Sequence, residues 1–147
     1  MKKILSLALS LVLIACALCA CAAKPNTDYQ ALKASLEEKG YGVGLTKKQE
    51  NAEAFGSEFG VTLSAKGLDA MLMATKTNES YDIVDMVVVF YFESDAAAEK
   101  AFDQGNYEKL FQKMVKSYKS DNAVDLEYDI RGSMFWIGTA QGILDAQ

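Results

Sequence analysis

Hydrophobic positions fall along this chain in two regimes. From Ile4 to Ala20 the residues run without a charge, whereas from Thr27 onward apolar and polar residues alternate with the periods of helices and strands. Thr27-Asp28-Tyr29-Gln30 has the form of a capping box, with Thr27 as the cap and Gln30 reaching back. Tyr29, Leu32 and Leu36 follow at helical spacing and Gly40 supplies a stop, which predicts a helix over 28–39. Tyr41, Val43 and Leu45 alternate with Gly42, Gly44 and Thr46 as a short strand does. Thr46 to Gln49 repeats the capping pattern ahead of Ala52, Phe55 and Phe59. A short second helix over 47–57 is therefore predicted, weakened by Gly56 and Gly60.

Val61 to Ser64 reads as extended and Ala65-Lys66-Gly67 as a turn. Leu68 to Thr75 is apolar in both alternating sets, and Tyr81 to Glu93 contains IVDMVVVFYF, a β-branched and aromatic run suited to a central strand. With the polar turn Lys76–Ser80 between them, these two make a hairpin. Ser94 caps a helix striped by Ala98, Ala101 and Phe102. After a break at Gly105-Asn106, helical spacing resumes with Tyr107, Leu110, Phe111, Met114 and Tyr118. Val124 to Ile130 alternates cleanly, Arg131-Gly132-Ser133 turns the chain, and Met134 to Ile137 returns it. Thr139 is placed to cap a last short helix ending in Ile143 and Leu144. Hairpins imply antiparallel pairing, so the expected fold is α+β over 27–147. It has an antiparallel sheet of about five strands in two hairpins, with helices packed mainly on one face.

That arrangement raises the question of the second face. Met86, Val88, Phe90 and Phe92 point one way beneath helices, leaving Val87, Val89 and Tyr91 pointing the other, with Trp136 available from the last strand. Burial beneath the 47–57 helix is the favoured cover. If it stayed open, Val87, Val89, Tyr91 and Trp136 would form a partner or ligand surface. The other candidate is an acidic row: Asp125, Glu127 and Asp129 project from one strand face about 7 Å apart. Calcium takes six to eight oxygens, which this row does not supply locally, so a solvated strand edge guarded by charge is the simpler expectation.

Composition narrows the chemistry further. There is no histidine, and all three cysteines, Cys16, Cys19 and Cys21, lie before the helical region. Thiol and imidazole nucleophiles and the usual zinc and copper ligand sets are thus missing from 27–147. No phosphate-cradling glycine loop or nucleophile elbow occurs. Carboxylate-pair hydrolysis is left as the one enzymatic alternative, without a pair that stands out. Neither an enzyme nor a cofactor is expected. Without residues 1–20 the formal charge moves from −5 to −7, because Lys2 and Lys3 go and no acid does. With that acidic balance and Arg131 as the sole arginine, the chain is poorly suited to phosphate binding, and nucleic acid is not expected as a partner.

The first regime now reads as an export signal, with Lys2 and Lys3 ahead of the apolar run. Leu18-Cys19-Ala20-Cys21 resembles the lipobox of bacterial lipoproteins: aliphatic, any, small, cysteine. Leu13-Ile14-Ala15-Cys16 matches it too. The resemblance implies acylation of a cysteine and cleavage just before it. Cys21 is preferred over Cys16 because cutting there leaves no unmodified thiol to oxidise. Residues 1–20 are then the signal peptide and 21–26 the lipidated cysteine and tether. Two or more acyl chains give stable anchoring on the outer side of the cell membrane. The segments FESDAAAEKAF and WIGTAQGIL give the remainder a resemblance to small uncharacterised lipoproteins of Gram-positive bacteria, which implies no particular activity. The expected function is a membrane-anchored, non-enzymatic domain that binds a protein or small molecule. The alternatives are an accessory subunit of an envelope or transport complex, or a small carboxylate-based envelope hydrolase.

Overall fold

The computed structural model describes residues 27–122 and 124–147; the expected signal peptide, the tether, Cys16 and Cys21 lie outside them. The elements run α1 (Tyr29–Glu38), β1 (Gly42–Thr46), α2 (Gln49–Glu58), β2 (Leu68–Thr77), β3 (Ile83–Phe92), α3 (Asp95–Gln104), α4 (Tyr107–Asn122), β4 (Glu127–Arg131), β5 (Met134–Gly138) and α5 (Ala140–Asp145). The strands form one antiparallel sheet in the order β1-β2-β3-β5-β4, with β3 at its centre. The α+β class and the two hairpins are as the alternation predicts.

Local signals explain most element ends. Ser94 and Thr139 cap α3 and α5, accepting the N–H of Ala97 and Gly142 at 3.2 and 3.0 Å. At α1 the cap is Asp28 rather than Thr27: its Oδ1 accepts the N–H groups of Gln30 and Ala31 at 3.0 and 3.1 Å. A carboxylate there adds a favourable interaction with the helix dipole. No box forms at α2, whose N-cap Lys48 makes no side-chain bond. Thr46 instead takes the N–H of Lys48 and the amide of Asn51, while Gln49 reaches Leu68 O. Gly56 lies inside α2 because a Cβ there would meet Leu63 Cγ at 2.6 Å and Val61 O at 2.8 Å. The strand expected from Val124 begins only at Glu127. β5, its sole partner, ends at Gly138 opposite Glu127, so residues 124–126 have nothing to pair with.

Both faces of β3 are sealed. Met86, Val88, Phe90 and Phe92 pack with Ala52 and Phe55 of α2, Ala98 and Ala101 of α3, and Tyr107, Leu110 and Met114 of α4. Phe90 is the hub, its ring 5.0 Å from Tyr107 and 5.9 Å from Phe135, centroid to centroid. Val87, Val89, Tyr91, Met134 and Trp136 pack with Leu32 and Leu36 of α1 and with Ile143 of α5. Three helices, the longest included, thus share one face, while α1 and the short α5 close the other. The helix expected over the second face, 47–57, is α2 and lies on the first, where Phe55 meets Phe90 at 6.3 Å.

α5 reaches β3 through two glycines. A Cβ on Gly138 would stand 2.5 Å from Met86 O, and one on Gly142 only 2.2 Å. Backbone cannot yield as a flexible side chain does, so either methyl would lift the helix from the sheet. Gly142→Ala is expected to lower unfolding stability by about 3 kcal/mol, read from urea denaturation. Ala140→Gly, a helix-propensity change on the same element, should cost less than half that.

Candidate functional site

The acidic row does not assemble into a site. Asp125 lies before β4 and accepts from Lys119 Nζ at 3.2 Å. Asp129 pairs with Arg131 Nε at 2.8 Å, and Glu127 is exposed at the sheet edge. Two of the three carboxylates thus have a cation beside them. Among the described residues no group of three or more His, Cys, Asp or Glu is placed to hold a metal ion. Arg131 also spreads over the Trp136 ring, 5.6 Å from its centroid.

The face that would be a partner surface if left open is interior, as the favoured burial reading expects: Val87, Val89, Tyr91 and Trp136 are 0, 0, 4 and 0 % exposed. Its cover is α1 with α5 and not the 47–57 helix, because helical periodicity says that a helix buries a stripe but not against which side of a sheet.

Beside that face lies a polar network that the sequence did not reveal as one. Thr139 Oγ1 accepts from Gly142 N and donates to Asp85 Oδ1, while Thr139 N donates to Met86 O at 2.9 Å. One turn further, Tyr41 donates its hydroxyl to Asp145 Oδ2 at 2.9 Å, and Lys39 Nζ meets Asp145 Oδ1 at 3.3 Å and Asp145 O at 2.7 Å. A hydroxyl beside a carboxylate suggests nucleophilic chemistry. Thr139, however, is 8 % exposed and its oxygen serves the cap, so the arrangement fastens α5 to β3 and to the end of α1.

A cleft of about 420 Å³ lies between residues 64–67 and α3. Ser64, Lys66, Glu93, Ser94, Lys100 and Gln104 supply its polar lining, and Gly67, Ala96, Ala97 and Gly105 leave the room. Glu93 is its one acid, and neither Lys66 nor Lys100 has an ion-pair partner among the described residues. Its size and mixed charge suit a small polar molecule.

No family model, curated protein or solved structure matches this chain. Among the described residues no helix is long and apolar enough to cross a membrane.

Burial sets the pH limits of the fold. Desolvation pushes the phenols of Tyr41, Tyr91 and Tyr107 up, helped by Asp145, Asp28 and Glu53 respectively. A phenol raised in the folded state contributes stability that is intact below the ordinary tyrosine value and fades as pH rises past it. Above pH ~10 each such tyrosine should cost about 1.4 kcal/mol per pH unit. Tyr107 Oη has no hydrogen-bond partner among the described residues. Tyr107→Phe should accordingly leave stability at pH 7 within ~1 kcal/mol of the parent. The same variant should reduce the alkaline slope, as urea midpoints across pH 8 to 11 would show. Asp145 runs oppositely. Desolvation works against its charge, but the Tyr41 hydroxyl and Lys39 hold its carboxyl below the usual range. Its contribution is present above the unfolded carboxylate value and is lost as pH falls through the folded one. Asp145→Asn should therefore flatten the acid limb of the same profile.

For the acidic row, calcium at about 1 mM, enough for weak extracellular sites, should leave the thermal midpoint unchanged. A rise would show that the three carboxylates find further ligands.

Proposed function

We propose that the chain is the precursor of a lipid-anchored protein on the outer side of the cell membrane, and that its domain acts by binding rather than by catalysis. The observation that carries this is the sequence Leu18-Cys19-Ala20-Cys21 at the end of an uncharged run that follows Lys2 and Lys3. All three cysteines fall in this region and none in 27–147. A thiol placed after a small residue and an apolar run is what lipid transfer and cleavage require, and a domain free of thiols tolerates an oxidising compartment.

The geometry adds support from the other end. Both faces of the sheet are filled with side chains, so substrate is not enclosed between layers. The polar groups nearest the core are engaged in caps and fastenings rather than gathered in a cleft. The described cleft beside α3 contains a single acid, against the two that carboxylate-based hydrolysis needs. Residues 21–26 serve as a tether into α1, which itself covers the second face, so the anchor joins the core directly rather than through a long linker.

Labelled palmitate supplied to the native host should enter the wild-type protein and the Cys16→Ser variant, and should be lost from Cys21→Ser. Label lost from Cys16→Ser alone would move the acylated thiol to that position. A wild-type protein that takes up no label and fractionates with the cytosol would end the anchoring reading.

A further inference from the structure

We propose that the turn Asn78–Asp82, at the free end of the β2–β3 hairpin, is the element through which the domain docks on a protein partner with an apolar pocket and a basic rim. The inference rests on the reading of the domain as a binding module and names the surface that does the binding.

The hairpin outruns its neighbours. β1 pairs with β2 only over Met71–Thr75, and β5 with β3 only over Val87–Tyr91, so Lys76, Thr77, Ile83 and Asp85 pair with each other alone. Beyond them Thr77 to Asp82 are all exposed. The turn is nevertheless built. Asn78 Oδ1 accepts the N–H groups of Ser80 and Asp82 at 2.9 and 3.0 Å, Asn78 Nδ2 donates to Asp82 Oδ2 at 3.1 Å, and Asn78 N donates to Asp82 O at 3.0 Å.

At its apex this turn holds Tyr81 at a φ of 66°, a left-handed conformation that glycine or asparagine adopts freely and a bulky side chain rarely. The turn's backbone bonds hold this conformation, Tyr81 N donating to Asn78 O at 3.1 Å, but the tyrosine side chain adds nothing to them. Tyr81 is 87 % exposed, and its side chain makes no ring, cation or hydrogen-bond contact among the described residues. A bulky side chain kept where glycine would close the same turn with less strain points to a contact outside the fold. A rigidly presented aromatic is also the side chain that most often anchors an interface. Two more of the exposed large apolar residues, Met73 and Val84, belong to the same hairpin.

Charge specifies the partner. Among the described residues Glu79 has no ion pair, and Asp82 meets only the Asn78 amide and backbone. Lys76, at the base of the same turn, is turned back onto the body, donating to Lys39 O at 3.1 Å and lying 5.6 Å from the Tyr41 ring. The apex is thus an aromatic ring flanked by two uncompensated carboxylates, which a pocket rimmed by Lys or Arg complements. Its position suits a partner rather than the bilayer. Tyr29, at the start of α1, touches Tyr91 at the opposite end of β3, so the apex lies about 30 Å from where the tether enters.

The test uses the full chain in its native host. Tyr81→p-benzoylphenylalanine should give one discrete ultraviolet-induced adduct with another protein, and Lys109→p-benzoylphenylalanine on α4 should not. The joined partner peptide should contain Lys or Arg, and adding Glu79→Lys should cut the yield about tenfold. In parallel Tyr81→Gly should raise the thermal midpoint by about 3 °C, because it relieves strain and removes no packing. Adducts with phospholipid or with a second copy of this chain, no adduct, or a yield indifferent to Glu79→Lys would each overturn the proposal. So would a lowered midpoint for Tyr81→Gly, which would make the tyrosine part of the fold. Acyl labelling of Cys21 in the same cells is read independently, so a missing adduct in a properly acylated protein counts against the hairpin alone.

Discussion

The structure depends on one strand that is apolar on both sides. From Met86 to Phe92 β3 carries no charged side chain and only the Tyr91 hydroxyl as a polar group, and every residue in that stretch is buried. Alternation then stops being a choice of inside and outside, and both layers must be closed. The first layer is closed generously, by three helices and a cluster of aromatic rings around Phe90. The second has only α1 and the six-residue α5, and a helix of that length has no independent stability in water. It persists because Gly138 and Gly142 bring its backbone against Met86, and because Thr139 joins cap and strand in one hydroxyl. The short α5 is therefore a fastening for the centre of the sheet, and the close approach of two backbones is what makes it possible.

Most of the fold was legible because its signals are local. Ser94 and Thr139 announce helix starts within four residues of the groups they cap, and the Met134–Ile137 and Tyr81–Glu93 runs carry their own strand character. The side of the sheet each helix chooses was not legible. α1 and α2 both present a stripe of two or three apolar residues, and nothing within either stripe distinguishes the Leu32–Leu36 face, which covers Val89, from the Phe55 face, which covers Phe90. That choice is made by distant contacts. Gly138 and Gly142 carry no signal of their role, because their partner, Met86, lies about fifty residues earlier; Thr139 and Met86 are 53 apart. Of the acidic row, Glu127 and Asp129 lie on β4 as alternation predicts, while Asp125 precedes it. The pairing of Asp125 with Lys119 and of Asp129 with Arg131 depends on where α4 ends and on how β4 turns, which spacing does not give.

Closing both faces moves any recognition to the margins of the sheet. Its two edges differ in kind. β4 offers Glu127, Asp129 and Arg131, a charged edge that resists pairing with another strand, whereas β1 is uncharged, with Gly42 and Gly44 leaving little to grip. Both edges are five residues long, which keeps the unpaired backbone short. The sheet ends are different in character: the cleft beside α3 lies at one, the hairpin turn at the other. They differ in sign, with lysines lining the first and carboxylates the second.

α1 is the element that the proposed anchor would meet first. It is the first described element and also half of the cover over Val87, Val89 and Trp136. Its far end is tied to the last helix through Lys39, Tyr41 and Asp145. A tether attached upstream of Thr27 therefore pulls on a helix that cannot lift without exposing the central strand and breaking the Asp145 network. Between Cys21 and Asp28 an extended chain spans at most ~25 Å, less than the length of the hairpin. With acylation at Cys21, the start of α1 and the neighbouring ends of β2 and β3 stay near the headgroups, and the hairpin turn is the part of the domain that can stand clear of them. The same strand that demands two sealed faces thus also sets the direction in which the domain extends.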